Sequence, residues 1–180
     1  MPRATKEIST TARPARGRTL AHSTKNDLSE ATRGAMCELL NARLADAVDL
    51  TIQAKQAHWN VKGPHFFSLH ELFDAVADGA HEYADLIAER AVQLGGVAEG
   101  TVQLVARRST IGEYPLEIVD GVEHLVAVSA AMASFGKEVR RAIDAAADAG
   151  DMGTADLFTE VSRGVDKHLW MVEAHGQATR

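Results

Sequence analysis

Five side chains in this sequence carry the types and spacing of metal ligands: His58, His70, Asp74, Asp85 and Glu89. Imidazole and carboxylate without thiolate suit Fe(II), Mn(II) or Zn(II). The lone cysteine, Cys37, excludes a CxxC knuckle and an intrachain disulfide framework, and fits a small core residue. On one helix, at about 100° per residue, His70, Asp74, Asp85 and Glu89 fall at roughly 0°, 40°, 60° and 100°, so they share a face. They do not share a height. Asp74 and Asp85 stand roughly 16 Å apart along the axis, far beyond a coordination sphere with bonds of about 2 Å. Each i,i+4 pair therefore supplies half a site.

A second copy of the helix, laid antiparallel across a two-fold axis, completes both halves, with His70 and Asp74 of one chain beside Asp85 and Glu89 of the other. The midpoint falls between Gly79 and Ala80. Ala75, Ala77 and Ala84 flank it as small residues expected to let two helices approach closely. His58 is placed to fold back onto the first pair. The competing reading is an ordinary solvated acidic face. No Glu is followed three residues later by His, so the usual di-iron motif inside one bundle is missing.

These side chains need long helices to hold them. Apolar residues recur at three-and-four spacing in four segments, predicting helices over about Leu28–Asn60, Phe66–Leu94, Pro115–Ala149 and Thr154–His175. Asp27 and Glu30 form a plausible capping box for the first, Gly63-Pro64 ends it, and Gly95-Gly96 stops the second. Pro115 is expected to open the third helix, with Val119, Val122, Val126, Ser129, Ala133, Gly136, Val139, Ile143 and Ala146 as its inward stripe. The link between the second and third helices is long and has room for one short helix near Thr101–Arg107. The fold class is all-α: a four-helix bundle with a single long crossover, ferritin-like in outline.

The chain has 180 residues, 46% hydrophobic and 24% charged, which is enough apolar material for a one-domain core. No stretch approaches eighteen consecutive apolar residues and no secretory signal is evident, so a cytoplasmic protein is expected, without membrane partners. The formal charge of −6 is unevenly spread. Residues 1–25 hold Arg3, Lys6, Arg13, Arg16, Arg18 and Lys25 against Glu7 alone, a balance of +5 that leaves −11 for the rest. Residues 1–25 read as a flexible basic arm, 26–176 as the bundle and 177–180 as a tail. The arm's Arg-rich, acid-poor composition also suits a transit peptide, although bulky apolar residues for such a peptide are few.

The string Ala57-His58-Trp59-Asn60-Val61-Lys62-Gly63-Pro64, then Phe67, Leu69-His70-Glu71, Phe73-Asp74, Asp85, Ala88-Glu89-Arg90 and Leu94-Gly95-Gly96, closely resembles the Dps family of miniferritins. The likeness continues through Tyr114-Pro115, Thr154-Ala155-Asp156, Ser162-Arg163 and Asp166-Lys167, and covers nearly all of residues 26–175. The resemblance implies a hollow dodecamer built from two-fold dimers, with His58, His70 and Asp74 from one subunit and Asp85 and Glu89 from its neighbour holding two Fe(II) ions. Glu89 would bridge the metals or bind the tighter position, and Asp74 would be the weaker ligand. Zn or Mn are possible substitutes for iron.

It further implies ferroxidase chemistry, preferably with hydrogen peroxide, Fe(III) mineral stored in the cavity, and protection of DNA in the nucleoid. Trp59 resembles the family's aromatic beside the site, with plain interface packing as the alternative. Asp144, Asp148, Asp151 and Asp156 resemble an iron-entry pore, helix-end solvation being the competing account. Glu71 is a weaker candidate for the cavity lining. His81, His124, His168 and His175 have no partner at metal spacing and are expected to be satisfied or surface histidines. The basic arm, multiplied by symmetry, is expected to bind DNA without reading its sequence. The alternative function is a nucleoid-binding structural protein whose metal site is vestigial.

Overall fold

In the computed structural model, which describes residues 20–177, the chain forms five helices: α1 (Glu30–Asn60), α2 (Phe66–Gln93), α3 (Val102–Arg108), α4 (Gly121–Asp148) and α5 (Met152–Gln177). Helices α1 and α2 pack as one hairpin and α4 and α5 as another; α1 also meets α4, and α2 meets α5. The core is apolar and continuous through all four long helices, with Leu40, Leu50, Phe73, Ile87, Phe135, Val139, Phe158 and Val165 almost fully buried. This is the expected ferritin-like bundle, with its short helix on the crossover. Among the described residues no helix is long and apolar enough to cross a membrane.

Three local expectations are corrected. The first helix is capped by Ser29, whose hydroxyl accepts from the Thr32 amide at 3.1 Å, and Asp27 lies outside it. Pro115 does not open the third long helix. It begins six residues later, at Gly121, because Asp120 and Glu123 form a complete capping box there. The turn is pinned from the other side, since the Lys62 amide donates to the Val119 carbonyl at 3.2 Å. The inward stripe shifts as well. Val119, Val122 and Val126 are exposed, and the buried face of α4 starts from His124, Leu125 and Val128. The apolar residues in this half of α4 lie on two faces, so periodicity alone could not choose between them.

The long crossover is fastened by polar side chains of α1. Asn41 donates to the Val97 carbonyl at 3.0 Å and accepts from the Glu99 amide at 2.8 Å. Asp46 accepts from the Thr110 amide at 2.7 Å, and Gln53 donates to the Gly112 carbonyl at 2.9 Å. These groups satisfy loop backbone that no secondary structure could satisfy. Burial pushes the Asp46 carboxyl up, against the opposing pull of Thr110 and Arg43. Cys37 is buried, its thiol raised by burial and directed to the Ala91 carbonyl.

Candidate metal centre

Gly63, at φ 108°, turns the chain sharply after α1 and returns it as α2. The turn brings the end of α1 beside the start of α2, twelve residues on. The His58 and His70 rings stack there with centroids 3.6 Å apart and planes inclined by 21°. Phe66 tilts against His70 at 5.1 Å.

The two histidines also exchange backbone hydrogen bonds. Nδ1 of His58 lies 2.8 Å from the His70 carbonyl, and Nδ1 of His70 lies 2.8 Å from the His58 carbonyl. A carbonyl only accepts, so each Nδ1 carries the proton. In the neutral ring Nε2 then keeps its lone pair, the tautomer a metal needs. The bond does a second job, because the His58 carbonyl belongs to the last turn of α1, whose carbonyls have no partner within the helix.

Asp74, one turn beyond His70, is held by the Lys55 ammonium, and its Oδ1 lies 3.7 Å from His58 Nδ1. The hydrogen bond from Lys55 holds the Asp74 carboxyl below the usual carboxylate range. Trp59, next to His58 in the chain, is 58% exposed. His58, His70 and Asp74 thus come together in one protomer.

Asp85 and Glu89 sit on the same helix, exposed and apart from that group. Among the described residues no three His, Cys, Asp or Glu side chains gather closely enough to hold a metal ion. The helix beneath the two acids is nevertheless firmly placed. Arg90, the residue after Glu89, donates to Asp151 at 2.7 Å and to the Thr154 hydroxyl at 3.0 Å, tying the end of α2 to the start of α5.

The small residues at the centre of α2 do a different job from the one expected. Ala77, Gly79, Ala80 and Ala84 are buried inside the protomer, and Ala75 is the exposed one. The His168 ring lies so close over Gly79 that a Cβ there would sit 2.4 Å from it. The smallness therefore serves the packing of α2 against α5, and the outward face at mid-helix carries Asp78 and His81 instead.

Of the four pore candidates, Asp144, Asp148 and Asp156 are exposed, whereas Asp151 is 2% exposed and engaged. It accepts from the Thr154 amide at 3.0 Å as well as from Arg90, so its oxygens are committed to the turn between α4 and α5. Burial pushes this carboxyl up, but the hydrogen bonds from Thr154 and Arg90 outweigh it and leave Asp151 below the usual range. Glu71 is exposed. Of the remaining histidines, His81 and His175 are exposed; His168 is half-buried and His124 buried, with Nδ1 2.6 Å from the Tyr114 hydroxyl. Arg3, Lys6, Arg13, Arg16 and Arg18 lie outside the described residues, and Lys25 is exposed.

Comparison with known proteins decides the lineage. A family described as Ferritin-like domain matches residues 37–180. The DNA protection during starvation protein of Agrobacterium fabrum is 44% identical over 156 residues, 87% of this chain and 96% of the relative. The chain belongs to the Dps family. Among solved Dps structures, DpsC from Streptomyces coelicolor superposes with a TM-score of 0.85 at 31% identity, covering 93% of this chain and 98% of that one. Dps from Microbacterium arborescens, solved in a high iron form, superposes with a TM-score of 0.75 at 31% identity over 80% of this chain and 93% of that one. The histidine cluster and the two distant acids on α2 are therefore features of a Dps bundle.

Proposed function

We propose that this protein is a ferroxidase and iron store, taking Fe(II) as substrate at dinuclear sites shared between two copies of α2. The observation that carries the reading is the reciprocal bonding of His58 and His70, which holds two Nε2 lone pairs ready within one protomer while Asp85 and Glu89 lie too far along α2 to join them. An antiparallel second copy brings Asp85 and Glu89 of the partner subunit to His58, His70 and Asp74. Membership of the Dps family supports the same arrangement, repeated to a dodecamer around a cavity that takes the Fe(III) mineral.

Each Fe(II) gives up one electron. Two ions together reduce one hydrogen peroxide, whose O–O bond breaks and takes up two protons to give two waters. The paired transfer avoids release of a hydroxyl radical. Hard carboxylates favour the more highly charged Fe(III) over Fe(II), which pulls the reaction forward. Lys55 releases Asp74 when a cation takes its place, since ammonium and metal compete for one oxygen. Trp59, exposed and adjacent to His58 in sequence, quenches stray one-electron oxidants.

The acidic body draws cations inward, and the exposed Asp144, Asp148 and Asp156 are the acids available to line an entry pore. The basic residues Arg3, Lys6, Arg13, Arg16, Arg18 and Lys25 bind DNA phosphates without reading sequence, so the assembly works in the cytoplasm at the nucleoid and shields DNA from peroxide.

Fe(II) oxidation by peroxide, followed by Fe(III) absorbance, tests the enzyme. The wild type oxidises and retains the iron, and an Asp85→Ala/Glu89→Ala protein does not. Full activity in that variant overturns the reading. Deletion of residues 1–25 tests the arm, with loss of DNA retardation at low salt expected and unchanged retardation counting against it.

A further inference from the structure

The outward face of α2 is strongly acidic. Glu71, Asp74, Asp78, Glu82, Asp85 and Glu89 lie on it, and between Asp74 and Asp85 the single basic side chain is His81. Asp78 and His81 are both exposed, and within the protomer neither has an ion pair or hydrogen bond from its side chain among the described residues. Two such faces laid together repel unless carboxylates meet hydrogen-bond donors or opposite charges.

The shared-site reading fixes the register, and the present inference rests on it. His70 with Glu89, and Asp74 with Asp85, are each centred on the Gly79–Ala80 peptide bond. Asp78 and His81 are centred on the same bond. At 100° per residue they point about 30° to either side of the middle of the ligand face. They are therefore the outward side chains nearest the two-fold axis, and the axis sets Asp78 of each protomer level with His81 of the partner subunit.

We propose that Asp78 of each protomer contacts His81 of the partner subunit across the two-fold axis, and that this doubled pair selects the antiparallel crossing that completes the metal sites. An imidazole N–H donates to the carboxylate in either protonation state of the ring, so the contact does not need a charged histidine. Crossed in parallel, the same helices set Asp78 against Asp78 and Asp85 against Asp85. The pair thus favours one orientation and penalises the other. Around it, Glu82 lies toward the rim of the face, while Tyr83 and His168 lie on the inner side of the helix.

Reciprocal exchange of the two residues tests the contact, with full-length protein in chelator and two-fold association measured by sedimentation equilibrium. His81→Asp opposes carboxylates twice at each axis and raises the dissociation constant about tenfold. Asp78→His opposes imidazoles and weakens association severalfold. The combined Asp78→His/His81→Asp protein restores the pair with its members exchanged and returns to within about twofold of wild type. Thermal melts of the isolated subunits at low concentration, expected to be superimposable because both positions are exposed, separate an interface effect from a folding effect.

Association unchanged in His81→Asp, or no better in the exchanged protein than in His81→Asp, overturns the inference. Failure of the shared-site reading looks different: wild-type monomers would then bind Co(II) tightly, independent of protein concentration.

Discussion

The two ends of α2 carry two proposed ligands each and are built in opposite ways. At the beginning, His70 is bonded to the α1 backbone, stacked on His58 and followed by an Asp74 already paired with Lys55. At the end, Asp85 and Glu89 are exposed, and the protein grips the helix one residue later, through Arg90. The histidine half is held in place by contacts within one protomer. The acidic half has a fixed backbone and free side chains, and takes its final geometry from what it meets. One end therefore sets orientation, and the other supplies charge.

The sharpest way to break this contrast is to remove the charge. Asp85→Ala/Glu89→Ala should lower Fe(II) oxidation by about two orders of magnitude or more, with no change in thermal midpoint because both residues are exposed. A large loss of midpoint would mean that the acids are structural after all. Next comes the grip behind them. Asp151→Ala leaves the partly buried Arg90 uncompensated and should cost roughly 3 kcal/mol in urea unfolding. Because the Asp151 carboxyl lies below its unfolded value, its contribution is present above about pH 4 and is lost as the pH falls through the folded value. The acid limb of stability should therefore flatten in Asp151→Asn.

Smaller effects test the packing between the two ends. A Cβ at Gly164 would lie 2.1 Å from the Tyr83 hydroxyl, so Gly164→Ala should destabilise by about 1–3 kcal/mol unless Tyr83 moves out, which tyrosine fluorescence would report. His70→Ala uncaps the His58 carbonyl and should cost about 1 kcal/mol in metal-free protein, an effect that no mutation of the acidic end should reproduce. The smallest effect is that of pH on His124 and His168. Burial lowers both His124 and His168, so their unfolded forms bind protons first. Stability should be full above about pH 6.5 and decline as the pH falls from there through the folded values, with a shallower decline in His124→Gln.

Much of this was legible in the chain because helices advertise themselves. Spacing alone put His70, Asp74, Asp85 and Glu89 on one face at two heights, and the ends of α1 and α2 followed from Gly63-Pro64 and Gly95-Gly96. The start of α4 was not legible. Pro115 is an ordinary helix opener, and the stronger signal, Asp120 with Glu123, lay beyond it amid exposed valines that mimic a core stripe. Gly79 is ambiguous for a related reason: a small residue signals close approach but not the direction of the approach. Asp151 looked like one more acid in a cluster, because its partner Arg90 lies sixty-one residues away. The bond between His58 and His70 left no trace in residue types, since both acceptors are backbone.

Backbone acceptors also limit how the site could drift. The two carbonyls that fix the imidazole protons belong to the main chain, so no exchange of neighbouring side chains can delete them. The available ring nitrogen is specified by the path of the polypeptide through the Gly63 bend. Only a change of route, such as a lengthened bend or a slip of one helix along the other, would scramble it, and such a change would strike both rings at once.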